Sequence, residues 1–127
     1  MRQILYLADY FAVIDSKEDD VPKVKFRVPE KDVNKENPFP EGIEHFALPN
    51  GWQVLDEWHP PKFHSVQLTK VDGSPFWASF FNYYYRDNGK FYPSSLVLIT
   101  RHNHSKQLQN ALMLIYEAHI TGTNDFP

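Results

Sequence analysis

A chain of 127 residues with 42% hydrophobic and 23% charged residues has the composition of one folded domain, not of a disordered segment. Its net charge of −3, from thirteen basic and sixteen acidic residues, lacks the basic surplus that nucleic-acid binding demands. Cysteine is absent, which removes disulfides and thiolate chemistry and fits a cytoplasmic protein. No run approaches the ~18 apolar residues of a membrane-spanning helix.

The amino terminus does not read as a signal peptide, because Asp9 interrupts the first apolar run and no small-residue cleavage site follows. Position 2 is Arg and no carboxy-terminal Cys is present, so no lipid anchor is expected. Any membrane association is therefore expected to be peripheral and through partners. Ten Phe and seven Tyr point to bulky packing layers, and ten Pro against five Gly point to stiff connections.

Residues from about Leu5 to Ile14 are aromatic and β-favouring and predict a strand. Asp15 to Pro22 carries Lys17, Glu18, Asp19 and Asp20 and reads as a solvated turn. Lys23 to Val28 alternates strictly, with Val24, Phe26 and Val28 on one face and cations on the other, and predicts a strand pairing back on the first. From Pro29 to Pro61 six prolines break any period of two. Glu41 to Leu48 is predicted as a short helix with Ile43, Phe46 and Ala47 inward, Pro40 in its first turn and Pro49-Asn50-Gly51 as its stop.

Phe63 to Thr69 and Pro75 to Tyr85 predict a hairpin around Asp72-Gly73, a strong two-residue turn signal. The second strand is apolar on both faces, with Phe76, Ala78, Phe80 and Tyr84 opposed to Trp77, Phe81, Tyr83 and Tyr85. Such a strand is central and covered on both sides. A second turn at Arg86 to Lys90 leads to another run without a polar face, Leu96 to Ile99. Leu108, Ala111, Leu112, Ile115, Tyr116 and His119 then recur at helical spacing. Asn103 or Ser105 is the expected start and Gly122 the expected stop. The sum is an α+β fold: a five-stranded, mostly antiparallel sheet flanked by a long carboxy-terminal helix and a short helix or loop.

A search for chemistry ends mostly in structural roles. His102 and His104 are one residue apart, yet a zinc site needs further ligands and no Cys is available, so no metal is expected. His45 reads as exposed or packing, His64 as a buried, hydrogen-bonded hairpin residue, and His119 as a satisfied histidine on the helical stripe. Ser94 and Ser95 lack the glycine-flanked elbow of a nucleophilic serine. Five scattered glycines form no phosphate cradle, and no cofactor is expected. Trp52 and Trp58 differ from the other aromatics because they lie in the polar, proline-rich connection. Either they pin that connection to the sheet or they anchor a partner, since interface hot spots favour Trp in desolvated pockets.

The order of several segments resembles the upstream lobe of a DENN module. These are Leu7 to Ile14, Arg27-Val28-Pro29, Pro38 to Phe46, Pro49 to Trp52, Phe63 to Thr69 with Asp72-Gly73, and Tyr92 to Arg101. Within that family the pattern is similar to the SET-binding-factor branch of myotubularin-related pseudophosphatases. It departs at Ala47, where the branch commonly has Cys, and at Asn82-Tyr83-Tyr84-Tyr85, where it favours Thr-Phe-Tyr-Glu. The resemblance implies a longin-like lobe over residues 1–122, with 123–127 opening a linker or tail. It implies an interaction domain in a guanine-nucleotide exchange factor for a Rab GTPase in membrane trafficking, with no catalytic residues of its own and a second lobe completing the docking cleft. An isolated lobe, whether an excised fragment or a short protein, is expected to expose an apolar face and to self-associate. The competing expectations are a longin-type adaptor or scaffold that binds a GTPase or trafficking protein without exchange, and a small enzyme marked by a deep polar pocket.

Overall fold

The computed structural model describes residues 8–16, 21–32, 35, 37–48 and 51–120, without the side chains of Ser105, His119 and Ile120. The expectations for Leu5 to Leu7, residues 17–20, Pro49-Asn50, the His119 side chain, the stop at Gly122 and the tail 123–127 lie outside these residues. Five strands form one sheet: β1 (Tyr10–Asp15), β2 (Lys23–Val28), β3 (Lys62–Thr69), β4 (Pro75–Asp87) and β5 (Lys90–Thr100). A 3-10 turn (Ile43–Phe46) interrupts the proline-rich connection, and one α-helix, α1 (Ser105–Ile120), closes the chain's described part. Strand order is β2-β1-β5-β4-β3, and every pairing is antiparallel. This is the expected α+β architecture.

The sheet has apolar side chains on both faces because each face meets its own cover. On one face Tyr10, Ala12, Ile14, Phe76, Ala78, Phe80, Val97 and Ile99 pack against Ile43 and Ala47, with Phe39 and Trp52 alongside. The proline-rich connection thus roofs that face. On the other face Phe11, Phe81, Tyr83, Leu96 and Leu98 pack against Leu108, Leu112 and Ile115 of α1. Alternation along β4 and β5 sends successive side chains into the two cores, which is why neither strand shows a polar face.

Several local expectations are refined by geometry. Asn88 and Gly89 link β4 to β5 with φ of 52° and 77°, the left-handed pair that a two-residue hairpin turn requires. The β3–β4 connection is longer, spanning residues 70–74 between the paired Thr69 and Pro75. There Asp72 Oδ1 accepts from the Ser74 N–H at 2.9 Å, a local turn that competes with a tight hairpin. The short helix is a single 3-10 turn following Gly42 in the left-handed region; Ile43 and Ala47 are buried, whereas Phe46 is exposed. At the start of α1 the carbonyl of His104, not of Asn103 or Ser105, accepts the first helical bond, from the Leu108 N–H at 2.9 Å.

β5 begins six residues earlier than the Leu96 expected from hydropathy, and it runs through Pro93. The missing N–H there is tolerated for a positional reason. Phe91 exchanges backbone bonds with Leu55 at 2.9 Å on the side of β5 away from β4, and the Ile99 carbonyl accepts from Asp9 on that same side. Pro93 shares their parity, so its nitrogen points into the gap between the Leu55 bridge and the end of β1, whose last partner is Ser94.

Candidate interaction site

The proline-rich connection reaches the sheet through a knot of polar and aromatic side chains at the β1–β2 end. Asp32 Oδ1 accepts from Arg27 Nη1 at 3.1 Å, from the Phe39 N–H at 3.2 Å and from the Tyr10 hydroxyl at 3.2 Å. The Tyr10 hydroxyl also lies 2.8 Å from the Asn37 carbonyl. Arg27 gives Nε and Nη2 to the Glu30 carbonyl at 3.0 and 2.7 Å and lies 4.6 Å from the centre of the Phe39 ring. Phe39 in turn meets the Tyr10 ring edge-on at 5.2 Å. The Phe39 amide, then Arg27 and Tyr10, hold the Asp32 carboxyl below its ordinary range. Burial, followed by the Asp32 charge, pushes the Tyr10 hydroxyl up.

Phe39 divides two depressions. The shallower, bounded by Val24, Phe26, Arg27 and Glu30, has a volume of about 520 Å³. The larger, about 720 Å³, runs between residues 37–41 of the connection and residues 69–72 beyond β3, over a floor of Phe76 and Ile99. Its rim carries Lys35, Glu41, Lys70 and Asp72, with Val71 fully exposed beside them. The Asp72 carboxyl is held below its usual range by the Ser74 hydroxyl and then the Ser74 amide. An apolar floor with charges of both signs on the rim suits a protein segment, with apolar groups seated inward and polar groups at the margin.

A second tie secures the roof. Asn82 Nδ2 donates to the buried Ala47 carbonyl at 2.8 Å and lies 3.3 Å from His64 Nδ1. His64 Nδ1 is therefore the acceptor, which leaves Nε2 to donate to the Phe46 carbonyl at 3.1 Å. The imidazole stacks on Phe80 at 4.8 Å. His64 is thus a hydrogen-bonded structural residue, as its place in the hairpin suggests, although it is only half-buried. His45 is exposed beside Glu44, and His102 and His104 are exposed with ring centres 6.0 Å apart. Among the described residues no three His, Cys, Asp or Glu side chains gather as a metal site.

The two tryptophans part company. Trp52 packs against the core beneath the roof, whereas Trp58 is 54% exposed. Neither lines the larger cleft. Hydropathy and spacing gave no signal for Asp32 or Asn37, which act through contacts 22 and 27 residues distant. The segments containing Tyr10, Arg27 and Phe39 are among those that carry the family resemblance, and the knot is where those three segments meet.

One antiparallel sheet carries a helix on one face and a proline-rich roof with a cleft on the other. Residues 22–83 match the uDENN domain family. The matched stretch runs from the start of β2 through the roof and into β4, so it contains most of both cleft walls. No solved structure matches the chain. No helix among the described residues is long and apolar enough to cross a membrane.

Proposed function

We propose that this chain is the upstream lobe of a DENN-type exchange factor and serves as an interaction domain for a Rab GTPase in cytoplasmic membrane trafficking. The uDENN match across residues 22–83 is the observation that carries the reading. The lobe occupies residues 1–122, residues 123–127 open a linker, and a downstream DENN lobe supplies the other wall of the GTPase-binding cleft. In this reading the lobe works by contact and shape and brings no cofactor and no catalytic group of its own. The finer resemblance, to the SET-binding-factor branch, rests on the motifs around Leu7 to Phe11, Pro38 to Glu44 and Gly51 to Gln53.

The test is a binding and nucleotide-release screen against a panel of Rab GTPases, with this chain alone and with a downstream DENN lobe attached. Release only by the two-lobed protein is the expected result. Binding without release in both forms would replace exchange with the adaptor reading. No binding to any Rab in either form would overturn the exchange reading.

A further inference from the structure

The sheet has two outer strands, and the sequence treats them differently. β2 sets Lys23, Lys25 and Arg27 between Val24, Phe26 and Val28. Cations repeated along an edge discourage pairing with another strand. β3 has no Asp, Glu, Lys or Arg from Phe63 to Thr69, and among the described residues it pairs with β4 alone.

The groups that β3 offers outward follow from the ladder. Odd-numbered residues of β5 turn their backbone away from β4, as the Phe91–Leu55 and Asp9–Ile99 bonds require. Even-numbered residues of β5 therefore bond β4, through partners such as Leu98 with Ser79 and Leu96 with Phe81. Even-numbered residues of β4 turn to β3, where Ala78 faces Val66 and Phe80 faces His64. Phe63, Ser65, Gln67 and Thr69 consequently aim their N–H and C=O groups away from β4, where no other strand among the described residues pairs with them. The side chains of Ser65, Gln67 and Thr69 are exposed.

We propose that this edge pairs with β3 of a second copy of the chain, antiparallel, about a twofold axis at Val66. That axis sets Gln67 opposite the partner's Ser65 and Thr69 opposite the partner's Phe63, so every outward residue meets an outward residue on the same face. About eight backbone hydrogen bonds result, two from each hydrogen-bonded pair. No like charges meet within the shared ladder, and Lys62 meets the partner's Lys70 only at its two ends. The interface is isologous and closes as a dimer with one continuous sheet. It needs no GTPase and no second lobe, and so stands apart from the exchange reading.

The test is sedimentation velocity from low to several hundred micromolar, on the wild type and two double variants. S65K/Q67K places a cation opposite a cation at both central pairs. S65E/Q67K places an anion opposite a cation there, but only in this register, since an axis at Ser65 or Gln67 would set like charges face to face. Both variants give up the Ser65–Ser79 hydroxyl contact, at 3.3 Å, so they are matched in that respect. Circular dichroism and thermal melts verify that both remain folded. The expected result is a concentration-dependent wild-type dimer, at least about tenfold weaker association in S65K/Q67K, and retained association in S65E/Q67K at low salt. A wild type that stays monomeric, a dimer that survives S65K/Q67K, or dispersal of folded S65E/Q67K would overturn the proposal.

Discussion

Asp32 is exposed at the surface yet organises three segments, because one carboxylate oxygen accepts from Arg27, Tyr10 and the Phe39 amide. Its folded pKa is depressed, so its contribution to stability is present above the ordinary carboxylate pKa and is lost as pH falls through the lower folded value. Asp32→Asn is expected to lower the denaturation midpoint at neutral pH. The two proteins should converge as pH falls below the ordinary carboxylate range and the wild-type carboxylate becomes protonated. Denaturant melts across that range check it; an unchanged gap in acid would show that charge is not the cause. Asn82 poses the opposite problem, because its amide is buried and its partner, Ala47, is fully buried. Asn82→Ala leaves the Ala47 carbonyl without that donor and is expected to destabilise the fold by about 1–3 kcal/mol in equilibrium unfolding. A change within about 0.5 kcal/mol would mean that water replaces the amide there.

At the scale of elements, periodicity carries α1 and predicts its buried stripe. Leu108 and Leu112 are essentially inaccessible, whereas Leu114, off the stripe, is 67% exposed. Leu112→Ala is expected to lose about 2–5 kcal/mol of stability, against under about 0.5 kcal/mol for Leu114→Ala, measured by denaturant unfolding. Equal losses would place the helix in a different rotation on the sheet. The same logic explains what could be read ahead of the structure. β2 was legible in its bounds but not in its faces: the register against β1 shifts between Val13 and Ile14, so Val24 packs on the roof-side core and Phe26 on the helix-side core, and half-buried Arg27 lies over Phe39 instead of on a wetted face. β5 was legible only in its apolar half, since Pro93, Ser94 and Ser95 look like a strand start. Their burial depends on where β1 stops and where Leu55 bridges. The β3–β4 hairpin was legible at both strand ends, Thr69 and Pro75, although Asp-Gly signals a turn without counting the residues, 70–74, that complete it. The cleft was not legible at all, because its walls belong to segments far apart in sequence with no shared period.

Over the whole molecule, the proline-rich connection is a structural roof and, in the reading proposed above, a surface for a partner, and the two tryptophans separate these roles. Trp52 packs against the core beneath the roof, so removing it opens a cavity there. Trp58 stands 54% exposed, four residues beyond Val54 at 44%. An exposed indole gives little to the isolated fold but gains much when a partner desolvates it. Trp52→Ala is therefore expected to lower the thermal midpoint, with any loss of Rab binding following the loss of folded protein. Trp58→Ala is expected to leave the midpoint within about 2 °C of wild type while weakening partner binding about tenfold or more. Thermal melts alongside calorimetric titration of a Rab identified in the panel would separate the two. If Trp58→Ala binds as tightly as wild type, the contact surface lies elsewhere. The charged rim of the cleft, at Lys35, Glu41 and Lys70, then becomes the next surface to alter.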